Sequence, residues 1–281
     1  MHMIQLQNIS FGYDHKSKLF DELHLEMQSG MIHGILGLNG AGKSSLLHLM
    51  QGMRFVEKGY IRAFGHQPSK RSARFLADSF LLAEEIYTPD LSIKKFIDRY
   101  NPYYPSFSTE SFLQFLNEFE IDKKDHLSHM SMGQRKKMMI AFALAAQTKV
   151  LLMDEPTNGL DIPSKRQFRK ILSHIITDDR VFVISTHQIR DLHSLIDNVI
   201  VIQDGKIIFD KTIQDILERL HFSLDRKEFP DNQIIYKERV PGGYLHIRGR
   251  SDGDSFEPDL EVLFNAIVTD RGLINQEFVT A

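Results

Sequence analysis

Cysteine is absent from the 281 residues of this sequence. Its absence excludes disulfide bonds and thiolate metal sites, and it is typical of proteins from reducing compartments. Long apolar runs are absent as well: the longest, residues 138–146, falls far short of the roughly 18 residues that a membrane-spanning helix needs. The first residues, MHMIQLQNISFGY, have no basic segment followed by an apolar core, so we expect no secretory signal.

An excess of charge of one sign is also missing, because 34 Lys and Arg residues stand against 37 Asp and Glu residues, a formal net charge of -3. Nucleic-acid binding normally needs a clustered basic excess, so we expect no nucleic-acid partner. The 13 histidines lack metal-ligand spacing, and we expect the pair His126 and His129 at the surface. The composition that remains, 42% hydrophobic and 25% charged, suits one large or two small globular domains.

The most informative stretch is GLNGAGKSS, which lies between an apolar run and a helical pattern. Its residues 37, 42, 43 and 44 match the phosphate-binding pattern Gly-x4-Gly-Lys-[Ser/Thr], and the flanking patterns disfavour a chance match. A strand that turns through glycines into a helix directs backbone N–H groups and the positive helix end at one point, where a polyanion can bind. Lys43 would reach the β- and γ-phosphates, and the Ser44 hydroxyl would bind the bridging Mg²⁺. The predicted nucleotide-binding residues are Gly37, Leu38, Asn39, Gly40, Ala41, Gly42, Lys43, Ser44 and Ser45.

Two apolar runs, residues 150–156 and 181–186, end in polar side chains. Such runs are buried on both faces, as in parallel sheets, and an amphipathic helical pattern at 164–176 lies between them. This is the layout of an α/β nucleotide-binding sheet, whose ligand lies at the carboxyl ends of the strands. Alternating and shorter patterns predict further strands, the first two in an antiparallel layer, at residues 4–9, 19–27, 59–64 and 80–83.

Asp154 and Glu155 lie at the end of the first of these buried runs. One acid at this point can hold Mg²⁺ through water, and its neighbour can orient and deprotonate an attacking water. The alternative, in which Asp-Glu-Pro only caps a turn, is disfavoured by the phosphate-binding pattern upstream. Tyr13 lies in a turn, and from the residues alone it is better interpreted as a packing residue under a loop.

Helical patterns dominate the middle of the chain and return at its end. Residues 88–130, with a periodic helix at 111–119, predict a helical insertion, and a further helix begins at Ser131. Residues 233–240 and 244–249 flank a Pro-Gly-Gly turn and predict a hairpin. A closing helix follows with one apolar face, formed by Leu260, Leu263, Phe264 and Ile267. We interpret this end as an appendage that packs on the core; a regulatory or dimerising role is the alternative.

Together these motifs closely resemble those of the ATP-binding subunit of ABC transporters, from residue 1 to about 220. Residues 130–134 stand in the place of the LSGGQ signature, and His187 in STHQ is in the place of the switch histidine. The other corresponding segments are 37–45 as the Walker A loop, 150–155 as Walker B and 158–161 as the D-loop. No single motif is decisive, but five in the family's order and spacing are highly specific.

The resemblance implies an α/β P-loop NTPase fold with a parallel core sheet and an N-terminal antiparallel β layer. It places the ATPase domain at 1–220, with a helical subdomain inserted at about 88–146. Residues 221–281 would form a small C-terminal α+β extension, over which the match fades.

The resemblance also implies that two such domains pack head to tail around two ATP molecules with Mg²⁺. Glu155 is then the general base, His187 the γ-phosphate sensor, and Tyr13 the aromatic that stacks on adenine. The implied metal partners are Ser44, Asp154 and Glu84. The implied contacts to the ATP of the opposite subunit are Ser131, Gly133, Gln134 and Asp161.

Three departures from the family pattern stand out. Met132 replaces the first glycine of the signature and Met130 its leucine, so hydrolysis is expected to be slower or differently gated. The Q-loop glutamine has no obvious equivalent: position after the strand at 80–83 favours Glu84, with Gln67 as the alternative. The D-loop reads NGLD where SALD is common, which we regard as tolerated.

The segment 92–119 is similar to subunits of ABC-2 type transporters, mostly exporters. The expected protein is therefore an ATPase subunit on the cytoplasmic face of a cell membrane, partnered by an integral membrane permease and by a second ATPase subunit, either identical or related. The alternatives are a soluble ABC ATPase without a permease and a module that binds nucleotide but barely hydrolyses it. The transported substrate is not encoded here, because the permease selects it.

Overall fold

The structure, a computed structural model, describes residues 2–14, 17–225, 234–249 and 258–278. Its strands are β1 (His2–Phe11), β2 (Phe20–Gln28), β3 (Met31–Leu36), β4 (Lys58–Ala63), β5 (Ser79–Leu82), β6 (Val150–Asp154), β7 (Val181–Thr186), β8 (Asn198–Gln203), β9 (Lys206–Thr212), β10 (Leu220–Asp225), β11 (Tyr236–Val240) and β12 (Gly243–Gly249). Its helices are α1 (Lys43–Met50), α2 (Ala73–Ala77), α3 (Ile93–Tyr100), α4 (Thr109–Glu118), α5 (Met132–Ala145), α6 (Ile162–Ile175), α7 (Ile213–Arg219), α8 (Leu260–Thr269) and α9 (Arg271–Gln276). Within these ranges, no helix has the length and apolar character needed to cross a membrane.

The central sheet has six strands in the order β5-β6-β7-β3-β8-β9, all parallel except β9. Every residue of β6 and β7 is buried, because both faces of the sheet are covered. In β7, Phe182 and Ile184 belong to one core cluster, whereas Val181 and Val183 belong to the other. The two predicted buried strands are confirmed as neighbours, and their carboxyl ends meet beside the end of β3.

A second, antiparallel sheet, in the order β2-β1-β4, forms the N-terminal layer. Ile4 and Leu6 are buried, while their neighbours along β1 are more exposed, as the alternating pattern predicted. Leu6 lies opposite Leu25 of β2 and Ile61 of β4. The layer is therefore confirmed, but the sequence did not indicate that β4 would be its third strand. With α1, it covers one face of the central sheet.

The predicted helical insertion is present as α3 and α4, which pack with α5 around Phe142. The Phe142 ring centroid lies 5.1–6.2 Å from those of five aromatic residues: Phe80, Phe96, Tyr104, Phe107 and Phe112. Serine side chains cap all three helices, at Ser92, Ser108 and Ser131. Because Phe80 belongs to β5, this aromatic cluster anchors the helical region to the edge of the central sheet.

The C-terminal residues add a third sheet, in the order β10-β12-β11, followed by α8 and α9. The predicted hairpin is confirmed as the β11–β12 pair, although residue 233 lies outside the described residues. The strand β10 was not predicted. The apolar face of α8 is buried in the core cluster that also contains Ile189, and Arg190 forms an ion pair with Glu261. The extension therefore packs on the segment that follows β7.

Candidate nucleotide-binding site

The glycine-rich loop joins β3 to α1 at the carboxyl edge of the central sheet. Gly40 and Gly42 have φ angles of 82° and 107°, in a region that residues with a Cβ rarely adopt. At Gly37, a Cβ atom would lie 2.6 Å from the carbonyl oxygen of Ile202 in β8. The loop can therefore follow this path only with glycine at these positions.

The start of α1 presents positive groups to an anion. Gly42 is its N-cap residue, no side chain caps the helix, and its first turn contains no acidic residue. The Nζ atom of Lys43 donates to the carbonyl oxygens of Gly37 at 2.9 Å and of Leu38 at 3.2 Å, and the side chain is only 7% exposed. Uncapped N–H groups, the positive helix end and a buried ammonium group together fit a chain of phosphates.

Asp154 is the last residue of β6 and Glu155 follows it, and both are held by the neighbouring strand β7. Asp154 lies opposite Ser185, and the Ser185 hydroxyl donates to the Asp154 carboxylate. The backbone N–H of Glu155 donates to the Ser185 carbonyl oxygen at 3.1 Å. Ser185 was missed by the sequence analysis. The available signal was a polar residue at the end of an otherwise apolar strand.

The Glu155 carboxylate is buried and faces both the loop and the end of β7. Its Oε1 atom lies 3.7 Å from Lys43 Nζ. The same oxygen lies 3.0 Å from the backbone nitrogen of His187 and 2.8 Å from its ring Nδ1. Lys43, Glu155 and His187, three predicted site residues from distant parts of the sequence, thus meet at one point. They do so because the strands that precede them, β3, β6 and β7, are parallel neighbours.

An open cleft runs along the glycine-rich loop. Tyr13 stands at its rim, 62% exposed, with its hydroxyl 2.7 Å from Ser45 Oγ, so it does not lie packed beneath a loop. The Arg54 guanidinium lies 5.2 Å from the centre of the Tyr13 ring. The lining residues of the cleft are Tyr13, Leu19, Asn39, Gly40, Gly42, Lys43, Ser44, Ser45, Glu84 and Glu155.

The segment in the place of the signature lies at a different cleft. Ser131 caps α5 as predicted: its hydroxyl accepts the Gln134 N–H, and the Gln134 side chain accepts the Ser131 N–H. Met132 is 72% exposed at the start of the helix. Gly133 lines this second cleft, and Asp161 caps α6 beyond it. Within the described residues, this group does not line the cleft at the glycine-rich loop.

Glu84 lines both clefts, two residues after the end of β5. Its Oε1 atom accepts the Asn158 side-chain amide at 2.8 Å, and its carbonyl oxygen accepts Lys136 Nζ at 3.1 Å. Gln67, the alternative equivalent of the Q-loop glutamine, comes before a 3₁₀ turn and is not among the lining residues. Lys136 was not predicted as a site residue, and Asn158 was predicted only as part of the D-loop.

A family model described as ABC transporter matches residues 20–158. The matched range contains the glycine-rich loop, the start of α5 and both acids. The chain carries an ABC transporter ATPase domain. Tyr13 and His187 lie on either side of the matched range, and the fold brings both to the region that the ABC motifs form.

Several ABC ATP-binding proteins are similar to this chain. The lantibiotic transport ATP-binding protein SrtF of Streptococcus pyogenes is 27% identical over 240 residues, covering 84% of this chain and 100% of SrtF. The nickel import system ATP-binding protein NikE of Staphylococcus aureus is 28% identical over 241 residues, covering 81% and 96%. A putative ABC transporter ATP-binding protein of Bacillus cereus is 26% identical over 224 residues, covering 76% of this chain, which spans only 39% of that relative.

Solved structures share the fold of this ABC domain. The ATP-binding subunit of an ABC transporter superimposes with a TM-score of 0.68 and 20% identity, covering 76% of this chain and 91% of that one. A dimeric ATP-binding cassette in a post-hydrolysis state, bound to ADP and Pi, gives 0.64 and 18%, covering 75% and 98%. The α/β P-loop NTPase fold that the sequence indicated is therefore confirmed.

Proposed function

We propose that this chain binds and hydrolyses ATP with Mg²⁺ and thereby powers a separate membrane permease. The observation that carries the proposal is the meeting of Lys43, Glu155 and His187 at the glycine-rich loop. A buried ammonium group can hold phosphates, while the adjacent buried carboxylate can act on an attacking water. Phosphoryl transfer to water needs both groups at one point.

Nucleotide binding would use the loop and α1 for the phosphates and Tyr13 for the base. Lys43 and the N–H groups of residues 40–45 surround the phosphates, and the exposed Tyr13 ring stacks on adenine. The hydroxyl and carboxylate oxygens of Ser44, Asp154 and Glu84 are hard ligands that suit Mg²⁺, and the Ser185 bond orients Asp154. When bound, Mg²⁺ neutralises charge on the phosphate oxygens.

Hydrolysis would use Glu155 as the general base. Its carboxylate orients the water and takes a proton from it, while His187 and Lys43 hold the carboxylate in place. Because Glu155 engages the Nδ1 atom of His187, Nε2 is the ring nitrogen that can reach a γ-phosphate oxygen. His187 would thus sense the nucleotide and position the base.

The second cleft would complete the ATP site of a partner subunit, either identical or related. Ser131, Gly133 and Gln134 at the start of α5 and Asp161 at the start of α6 would face the partner's ATP. The exposed Met132 supports a contact surface at this point, as does the dimeric state of the similar cassette bound to ADP and Pi. Because Met132 is bulkier than glycine, we expect slower or differently gated hydrolysis.

The helical subdomain, about residues 88–146 of an ATPase domain at 1–220, would transmit the nucleotide state to the permease. Its segment 92–119 supports an ABC-2 type exporter. The subunit would then lie peripherally on the cytoplasmic face of the membrane. Residues 221–281 would form the C-terminal extension. Ligand-driven closing and opening of the dimer is the conformational step that couples ATP to transport.

The test is to tag the Glu155→Gln form in its own host, solubilise membranes gently, and identify the proteins that copurify in ATP and Mg²⁺. A multi-spanning membrane protein recovered in stoichiometric amount supports the permease proposal and leads to the substrate. A chain that stays in the soluble fraction with ribosomes, nucleic acid or no partner overturns it in favour of a permease-free ATPase.

Replacing Tyr13 with alanine should weaken ATP affinity about 5- to 50-fold, because the adenine loses its stacking surface. Tyr13→Phe keeps the ring and removes only the hydroxyl contact with Ser45, so its affinity should stay near the wild-type value. Equilibrium binding of a fluorescent ATP analogue measures both variants. Equal ATP affinity in Tyr13→Ala and the wild type would mean that Tyr13 does not stack on adenine and is only a packing residue.

A further inference from the structure

Lys136 is a buried cation that the proposed reaction does not yet use. Among the described residues, it and Lys43 are the buried lysines, and its side chain is 5% exposed. Burial lowers the pKa of the Lys136 ammonium, while the carboxylates of Glu84, Asp154 and Glu155 act to raise it. A lysine is kept in such a place only when its hydrogen bonds offset the loss of water.

The Lys136 ammonium group joins three separate segments. Its Nζ atom, on α5, donates to the carbonyl oxygen of Glu155 at 3.0 Å and to that of Glu84 at 3.1 Å. The Glu155 oxygen also accepts the backbone N–H of Asn158 at 3.2 Å, which closes the turn after β6. Lys136 therefore braces the main chain at the ends of β5 and β6 against α5.

Glu155, whose carbonyl oxygen accepts a hydrogen bond from Lys136, has a strained backbone conformation. Glu155 has a φ angle of 44°, in the left-handed region that a residue with a long side chain rarely adopts. Such a conformation persists only where the surrounding structure holds it from several sides. Here Ser185 binds the Glu155 N–H, and Lys136 binds its carbonyl oxygen. The direction of the carboxylate follows from that backbone conformation.

We propose that Lys136 is a positioning residue for hydrolysis, which fixes the main chain of Glu155 and couples it to α5. The coupling rests on the proposed function, in which the start of α5 faces the ATP of a partner subunit. A shift of α5 on closing against that ATP moves the Lys136 ammonium group and, with it, the Glu155 backbone. In this way, ATP binding at the partner's site changes the position of Glu155, the general base of this subunit's own site.

The test compares ATP turnover in Lys136→Met, which keeps an apolar stem as far as the Cε position without the donors, and Lys136→Gln, which keeps N–H donors without the charge. Lys136→Met should lower kcat about 10- to 100-fold, the cost of a misplaced base, with KM within about threefold of the wild type. Lys136→Gln should keep more activity than Lys136→Met. The matched control is Lys94→Met, at an exposed position on α3, which should behave as the wild type.

A double mutant separates positioning from a merely structural role. If Lys136 acts through Glu155, adding Lys136→Met to Glu155→Gln should change the residual turnover less than about twofold. An equal loss in both backgrounds would overturn the proposal, as would a raised KM with an unchanged kcat. Normal turnover in Lys136→Met alone would overturn it too.

Hydrogen exchange distinguishes failure of this inference from failure of the proposed function. If the wild type shows no ATP turnover, the proposed hydrolysis is wrong, but the hydrogen bonds of Lys136 can still be tested through the backbone amides of residues 153–155, 157 and 158. Their exchange should be faster in Lys136→Met than in the wild type or in Lys94→Met. Unchanged exchange there overturns the role of Lys136, whatever the turnover.

Discussion

Replacing Glu155 with glutamine should lower ATP turnover about 10²- to 10⁴-fold and leave ATP affinity nearly unchanged. Glutamine has the same size, and its amide oxygen can still accept the backbone N–H of His187. An amide cannot take a proton from water at neutral pH, so the base is lost. The groups proposed to hold the phosphates, Lys43 and the start of α1, remain in place. Phosphate release measures turnover, and equilibrium titration with ATP measures affinity.

The matched control is Glu57→Gln, because Glu57 is an exposed acid in the segment before β4. It should hydrolyse ATP at the wild-type rate. If Glu155→Gln also keeps that rate, Glu155 is not the general base. If Glu155→Gln loses ATP binding together with turnover, the Glu155 carboxylate is needed to hold the loop and Lys43. The prediction that Glu155 acts in hydrolysis and not in ATP binding would then be wrong.

The local patterns that predicted the fold correctly are those whose structure depends on near neighbours. The glycine-rich loop has its path because of residues within it, and the buried runs could be strands only in a sheet covered on both faces. Once the runs are parallel neighbours, their carboxyl ends must meet. The convergence of Lys43 with Glu155 and His187 follows from that arrangement. The cap of α5 was equally local, since Ser131 and Gln134 form a capping box within one turn.

The contacts that the sequence did not reveal depend on how distant elements pack. Ser185 holds Asp154 because β6 and β7 pair in one register rather than another. Lys136 reaches the carbonyl oxygens of Glu84 and Glu155 only because α5 packs beside the ends of two strands. The one feature of the sequence that could have indicated Lys136 was a lysine among apolar residues on a buried helix face. The strand β10 was not predicted for the same reason, because it pairs with β12, which comes later in the chain.

Replacing Lys43 with alanine should weaken ATP affinity about 10- to 100-fold, because a hydrogen bond to a charged group contributes about 1.5–3 kcal/mol. Among the described residues, Lys43 is the one lysine that lines the cleft at the loop. Its positive charge therefore lies at the predicted position of the phosphates. Removal of this side chain frees the carbonyl oxygens of Gly37 and Leu38, of which the first accepts a buried hydrogen bond, and leaves the buried Glu155 carboxylate without the ammonium group 3.7 Å away. The free energy of unfolding should therefore fall as well, so ATP affinity is compared only on protein that is shown to be folded.

Two variants show whether the lost affinity comes from the Lys43 charge at this position. Lys58→Ala removes an exposed lysine from β4, and its ATP affinity should equal that of the wild type. Lys43→Arg keeps the charge, but a planar guanidinium group cannot fill the space of a compact ammonium group held by two loop carbonyls, so it should restore binding only in part. Calorimetric ATP titration compares the three variants, with thermal unfolding as the check on folding. Full ATP affinity in a folded Lys43→Ala protein would mean that the glycine-rich loop does not hold the phosphates, and the nucleotide site would have to lie elsewhere.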